Sequence, residues 1–329
     1  MTSNRTLLAM ALVTASPLAA AAPAKMQAIV AGTGEPKALE LRSIDTPRPA
    51  ANQVLIQVFA AGVNPVDWKT AATGAVPGYD VAGVIDSVGP GVTTFKPGDP
   101  VIARAANGAY AQYAIADLDN VARKPSAFSF EQAAGVPVAG VAGHRLATWA
   151  GIRPGQRVVV IGAAGGSGSA AVETAKSMGA HVIGVGSSSQ ESYLRKLGVA
   201  EFVAYDKENV AAKVHDVDVV LNTVDSQVEP GLGYVRRGGV FSSITGVPTE
   251  EKCAAAGVTC VQIGRGKPVP PAGESLRPLA AMADAGKYTV TVAKRFPLAQ
   301  AAAAQESLRT SGGTGKTILI VDPSKAGQH

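Results

Sequence analysis

Cysteine is nearly missing from this chain: 329 residues hold two, Cys253 and Cys260, and none comes earlier. Histidine is almost as scarce, with His144, His181, His215 and His329 widely separated. Zinc takes three or four N, S or O ligands in tetrahedral array, and this supply offers no ligand spacing, so no metal is expected. Aromatic residues make up 5% of the chain, and no Lys/Arg run or basic stripe interleaved with aromatics occurs. The net charge of +5 is therefore scattered and does not point to a nucleic-acid partner. Internal repeats are absent. No apolar run is long enough to stay in a membrane, since the stretch 7–18 is short and carries Pro17.

What is present suits a turn-rich α/β protein of two compact domains: 47% hydrophobic residues, 37 Gly and 21 Pro. The first 24 residues combine Arg5, the apolar stretch and then small residues, the pattern of a secretory signal peptide with cleavage near Ala19-Ala20-Ala21. This predicts a periplasmic or secreted protein. The competing reading is a cytoplasmic protein that starts at Met26, because MQAIV already begins the first strand, and no twin-arginine pair marks export of a folded, loaded protein. Cys253 and Cys260 bear on the same point. They either pair across the turn between them, as an oxidising compartment permits, or are two small buried core residues.

The most informative segment is VVVIGAAGGSG, Val158 to Gly168. A β-branched run enters a glycine-rich turn, a helix begins near Ser167, and a second strand follows at His181 to Val185, which is the order of a dinucleotide-binding βαβ unit. The turn needs glycines so that backbone can approach a pyrophosphate, whose charge meets the N–H groups at the helix start. Laid on G-x-G-x-x-G, it reads Ala163, Ala164, Gly165, Gly166, Ser167, Gly168. An NAD-binding unit usually carries Asp or Glu at the end of the second strand. This one has Ser187, then Ser188 and Ser189. Hydroxyls and N–H groups can donate to a 2′-phosphate that a carboxylate would repel, so NADP(H) is expected. Arg195, Lys196 and Lys207 are either positive partners of that phosphate or solvated surface charges.

From Met26 to about Val121 the chain reads as short strands separated by turns such as Gly89-Pro90-Gly91. From about Arg157 to Asp284 strands alternate with helices, which implies a doubly wound parallel sheet. After Lys287 come a strand, a helix near Leu298 to Leu308, and a last strand from Thr317 to Val321 that could rejoin the first domain. SGGTGKT imitates a phosphate-binding P-loop, but Thr310 stands where glycine is required and TILIV follows as a strand, so Lys316 is expected only in a loop role.

Six segments in order, AAGVNPVDWK, PGYDVAGVIDSVGPGVTTFKPGD, GAYAQY, FSFEQAA, RPGQRVVVIGAAGGSG and VDVVLNTV, make residues 26–322 similar to the medium-chain dehydrogenase/reductase superfamily, in its zinc-free quinone oxidoreductase branch. The resemblance implies a GroES-like catalytic domain (25–145 and 287–329) closing on a Rossmann NADP-binding domain (146–286), with the active site between them. It places Asn64 and Tyr79 where zinc-dependent relatives have metal ligands. Asn64 would act as an amide donor to a developing oxyanion; Tyr79 either supplies a second donor or packs as an aromatic under the loop. Asp67 and Asp80 are expected to fix loops. Tyr205 is implied beside the 2′-phosphate and Thr223 near the nicotinamide. The implied reaction passes hydride from NADPH to a small electrophilic acceptor, a quinone or an α,β-unsaturated carbonyl, and the implied assembly is a homodimer. Two other functions stay open: an enoyl-thioester reductase, and a nucleotide-binding redox sensor or interaction protein with little turnover. The segment between Asp67 and Pro77 is shorter than in most relatives, which bears on one wall of the acceptor site.

Overall fold

A computed structural model describes residues 22–34, 36–106, 108–264, 268–310 and 313–329. The leader expected at 1–24 falls almost wholly outside them. Among the described residues no helix is long and apolar enough to cross a membrane.

The parallel sheet has six strands in the spatial order Glu201–Ala204, His181–Gly186, Arg157–Ile161, Val217–Asn222, Val235–Ser243, Thr259–Gln262. The chain starts this sheet at its centre with Arg157–Ile161, builds outward to one edge, returns, and builds to the other edge. The reversal leaves a crevice at the carboxyl ends of Arg157–Ile161 and Val217–Asn222, where open α/β sheets bind ligands. Val158, Val159 and Val160 are fully buried because helices cover both faces, which is why the segment is apolar without alternation.

The second sheet is mixed. Gln53–Val63 lies at its heart, antiparallel to Asp80–Val88 on one side and to Lys316–Ile320 and Tyr113–Asp117 along the other. Val292–Pro297 pairs parallel with Lys316–Ile320, so the chain's end completes the sheet that its beginning opened. The exposed strand Leu39–Asp45, unmarked by apolar alternation, pairs with Lys25–Ala31. Phe59, Ile102, Phe128 and Phe130 of this sheet side share one buried cluster with Val141, Ala170, Leu276 and Leu279 from the helices over the parallel sheet. That common core fixes the two lobes against each other and makes the space between them a defined cleft.

Cys253 and Cys260 form a disulfide joining the helix Glu250–Ala256 to the edge strand Thr259–Gln262. Of the two readings left open by spacing, pairing is the one adopted.

Candidate active site

A cleft of about 960 Å3 runs between the lobes, from Asn64 and Lys316 past the glycine turn to Tyr205 and Glu208. The helix Gly166–Ser177 begins at its floor. Its first intrahelical bond within the turn is Ser169 N to Gly165 O, 2.8 Å, and no side chain caps its start. The N–H groups of Gly166, Ser167 and Gly168 therefore face the cleft unspent, at the positive end of the helix. The tight turn itself is made by Gly162, at φ +74°, one residue before Ala163, which stands in the first glycine's place in the motif alignment. Ala163 is fully buried in the core behind the turn and donates its N–H to Val185 O. Only glycine fits at 168, since a Cβ there would lie 2.1 Å from Gly162 O. Backbone N–H groups, an uncapped helix start and glycine at 165, 166 and 168 together fit a pyrophosphate.

The other lobe contributes a buried polar network. Asn64 ends the strand Gln53–Val63 in extended conformation, and Pro65 starts the short helix that follows, where its missing N–H is no loss. Asn64 N donates to Asp67 Oδ2 at 2.8 Å, and Tyr110 OH donates to the same oxygen at 2.7 Å. Asn64 Nδ2 donates to Asp80 Oδ2 at 2.7 Å, while Lys316 Nζ donates to Asn64 Oδ1 at 2.5 Å and to Val63 O at 3.0 Å. Since lysine can only donate and an ionised carboxylate only accept, the two partners fix which way the amide points. Among the described residues nothing takes the second Nδ2 hydrogen, and Asn64 lines the cleft.

Lys316 is the residue that sequence reading missed. It is the first residue of the last strand, is only 6% exposed, and lies 3.5 Å from the carboxylate of the fully buried Asp80. The expected loop role is corrected accordingly. Its approach is fixed by the turn before it, where Gly315 N donates to Ala164 O at 2.9 Å and Gly165 and Gly315 form a β-bridge. Asp80 anchors the network on its other side by accepting from Val138 N at 2.5 Å. Asp67 and Asp80 thus hold loops, as anticipated.

Burial pushes the Asp67 carboxyl up to about 7, against the hydrogen bond from Tyr110, and burial raises Asp80 as well. Glu173, which accepts from Thr289 N and Oγ1 where the helix Gly166–Ser177 meets the returning chain, is also raised to about 7 by burial. For an acid with a raised folded-state pKa, the folded protein keeps a proton that the unfolded chain has already lost. Stability should then fall as pH rises between about 4 and 7. Thermal unfolding against pH checks this, and Asp67→Asn should flatten the slope; an unchanged slope would show that Asp67 is already ionised in the fold.

The remaining expected residues are distributed unevenly. Thr223 lines the cleft beside Gly162 and donates to Ile161 O at 2.8 Å; Tyr205 lines the far end and is 60% exposed. Ser187 and Ser188 lie at the end of the second strand but are not among the residues that line the cleft, and Ser187 N and both Ser188 donors are engaged by protein groups. Tyr79 does not join Asn64 in lining the cleft. Its hydroxyl lies 2.7 Å from Thr70 Oγ1, which spends its own hydrogen on Val66 O, so the phenol hydrogen goes to Thr70; Arg104 covers the ring. Arg195 is held by Glu191 and Ala200 O, in keeping with a surface charge. Asn222, fully buried and bonded to Val224 and Ser243, shapes the turn at the cleft's reversal point and carried no signal in the sequence beyond ending an apolar strand.

Comparison with known proteins agrees with this geometry. Residues 50–126 match the alcohol dehydrogenase GroES-like domain, residues 133–230 the alanine dehydrogenase/PNT C-terminal domain, and residues 197–319 the zinc-binding dehydrogenase family. The chain is 30% identical to the chloroplastic NADPH-dependent alkenal/one oxidoreductase of Arabidopsis thaliana, over 92% of this chain and 82% of that one. It is 29% identical to the quinone oxidoreductase of Homo sapiens, over 88% and 95%. The solved quinone oxidoreductase of Coxiella burnetii superposes with a TM-score of 0.80 at 28% identity, over 90% of this chain and 99% of that one. The chain therefore belongs to the medium-chain dehydrogenase/reductase superfamily, as an oxidoreductase of its quinone oxidoreductase branch.

Proposed function

We propose that this protein is an NADPH-dependent, zinc-independent reductase of small quinones or α,β-unsaturated carbonyls. The observation that carries the reading is the Asn64 amide, fixed by Lys316 and Asp80 in a cleft whose opposite wall is the glycine turn. The backbone N–H groups of Gly166, Ser167 and Gly168 would hold the pyrophosphate, and Thr223 the nicotinamide end. The bound nicotinamide supplies hydride. Asn64 donates its free Nδ2 hydrogen to the acceptor oxygen as negative charge develops there, and needs no reorganisation because both of its other bonds are already made. Lys316 adds positive charge behind that amide. Apolar neighbours, among them Ala139, Ile161, Val185 and Ile244, keep water from competing. An electrophile that needs little Lewis-acid help suits such a site. An amide and a phenol bonded to Thr70, at the two positions that ligate metal in zinc-dependent relatives, support zinc independence. A serine in place of a carboxylate at the end of the second strand supports NADPH, as does the NADPH-dependent plant relative.

A fluorescence titration of the purified protein with NADPH and with NADH, followed by a small quinone and an enone in the same cuvette, tests the reading. Nucleotide binding with acceptor-dependent oxidation is the expected result; binding without oxidation of either acceptor would leave a nucleotide-binding protein of another kind. Export belongs to the same proposal. It is supported by the Cys253–Cys260 disulfide, a bond that reducing cytosol does not usually preserve, and is tested by sequencing the mature N-terminus.

A further inference from the structure

The second and third strands of the parallel sheet end side by side, and this brings Ser188 against Asp206 from a different loop. Ser188 N donates to Asp206 Oδ1 and Ser188 Oγ to Asp206 Oδ2, both at 2.7 Å. The carboxylate is thus held by two donors at once, one to each oxygen. The adjacent groups are also engaged: Ser187 N donates to Gln190 Oε1 at 2.9 Å, and Ser187 Oγ pairs with Ser189 Oγ at 2.9 Å. Tyr205 and Glu208, on either side of Asp206 in the chain, line the cleft, whereas Asp206 and Ser188 lie outside its lining; Glu208 accepts from Ala204 N at 3.1 Å and pairs with Lys213 at 3.5 Å. Lys207 follows Asp206 in the chain, and Arg195 is held by Glu191.

The two Ser188 donors, N–H and hydroxyl, are therefore occupied by an anion belonging to the chain. We infer that Asp206 sets the nucleotide preference: a 2′-phosphate must displace its carboxylate from Ser188, whereas a 2′-hydroxyl can donate to that same carboxylate where it stands. The inference rests on the nucleotide-binding reading above and narrows it. The serine-ended strand alone would favour NADPH strongly; with Asp206 in place, NADH competes. The discrimination is built by two strands together, and the residue that opposes the phosphate comes after the third one, not at the usual place after the second.

Asp206→Ala frees both Ser188 donors and removes a like charge. Because Asp206 sits on an exposed turn, the fold should be retained, which circular dichroism and the melting temperature verify. The dissociation constant for NADPH should drop by roughly tenfold, about 1.4 kcal/mol, while that for NADH stays the same or rises. The gain should shrink at high ionic strength, as an electrostatic effect at an exposed site must. Adding Ser188→Ala to Asp206→Ala should remove it. Equal changes for the two nucleotides, or none for NADPH, would overturn the inference while leaving the hydride-transfer reading intact. If the native protein binds neither nucleotide, that reading fails. In that case, NADPH binding by Asp206→Ala alone would still uphold the role of Asp206, and its absence would reject both.

Discussion

Lys316→Met should lower stability by about 3 to 5 kcal/mol at neutral pH and reduce turnover to near background. Methionine fills nearly the same volume and keeps the apolar contacts of the stem, so the loss isolates the ammonium group. Without it, Asp80 is a fully buried carboxylate left, among the described residues, with Asn64 and Val138 as donors, and Asn64 Oδ1 loses the lysine's hydrogen bond. Two consequences separate this account from a packing defect. The stability deficit should narrow as pH falls, because Asp80 can take up a proton and become neutral, and Lys316→Arg should recover part of the loss. A deficit independent of pH would mean that the charge of Asp80 was never at stake. Turnover should fail even with saturating nucleotide, since the amide is then held on one side alone, by Asp80, and has lost the positive charge behind its carbonyl.

Gly168→Ala should remove measurable nucleotide binding with far less damage to the rest of the fold. The added methyl would sit 2.1 Å from Gly162 O and 2.8 Å from Ala163 Cα, both backbone atoms of the turn itself, so relief requires the helix start to move away from the turn. The N–H groups of Gly166 and Ser167 move with it, and a pyrophosphate that depends on their common aim loses all of them together. We expect affinity to fall by at least about a hundredfold, roughly 2.7 kcal/mol. Titration by nucleotide fluorescence reads it directly. Affinity within a few fold of the native protein would mean that the phosphate binds elsewhere in the cleft.

The parallel sheet was legible because each of its strands is a local statement, an apolar run between turns, and because the glycine turn sits where the run must change direction. Gly162 escaped the motif for a simple reason: alignment to spaced glycines ranks positions by pattern, whereas the backbone needs the positive φ one residue earlier. Asn64 could be named only through its resemblance to metal-ligand positions of relatives, and its partners could not be named at all. Lys316 lies 253 residues from Val63, whose carbonyl it binds, and nothing in a one-dimensional pattern links them. The same limit hid Asp206. It stands beside Tyr205 in the sequence, and only strand pairing carries it to Ser188. The strand Leu39–Asp45 went unseen because it is largely exposed, and burial is what writes alternation into a strand.

The pairing of Gly62 with Ile318 has a bearing on how the protein is made. The parallel sheet is drawn from one contiguous stretch, residues 157–262, and every strand of it is made before residues 316–320 are. The mixed sheet has a gap beside its central strand until residues 316–320 emerge. During that interval the backbone of residues 60–63 is an open edge, able to pair with whatever strand arrives first, including one from another nascent chain. The residue that closes the gap on time, at the head of the final strand, is the same lysine that orients the amide in the cleft.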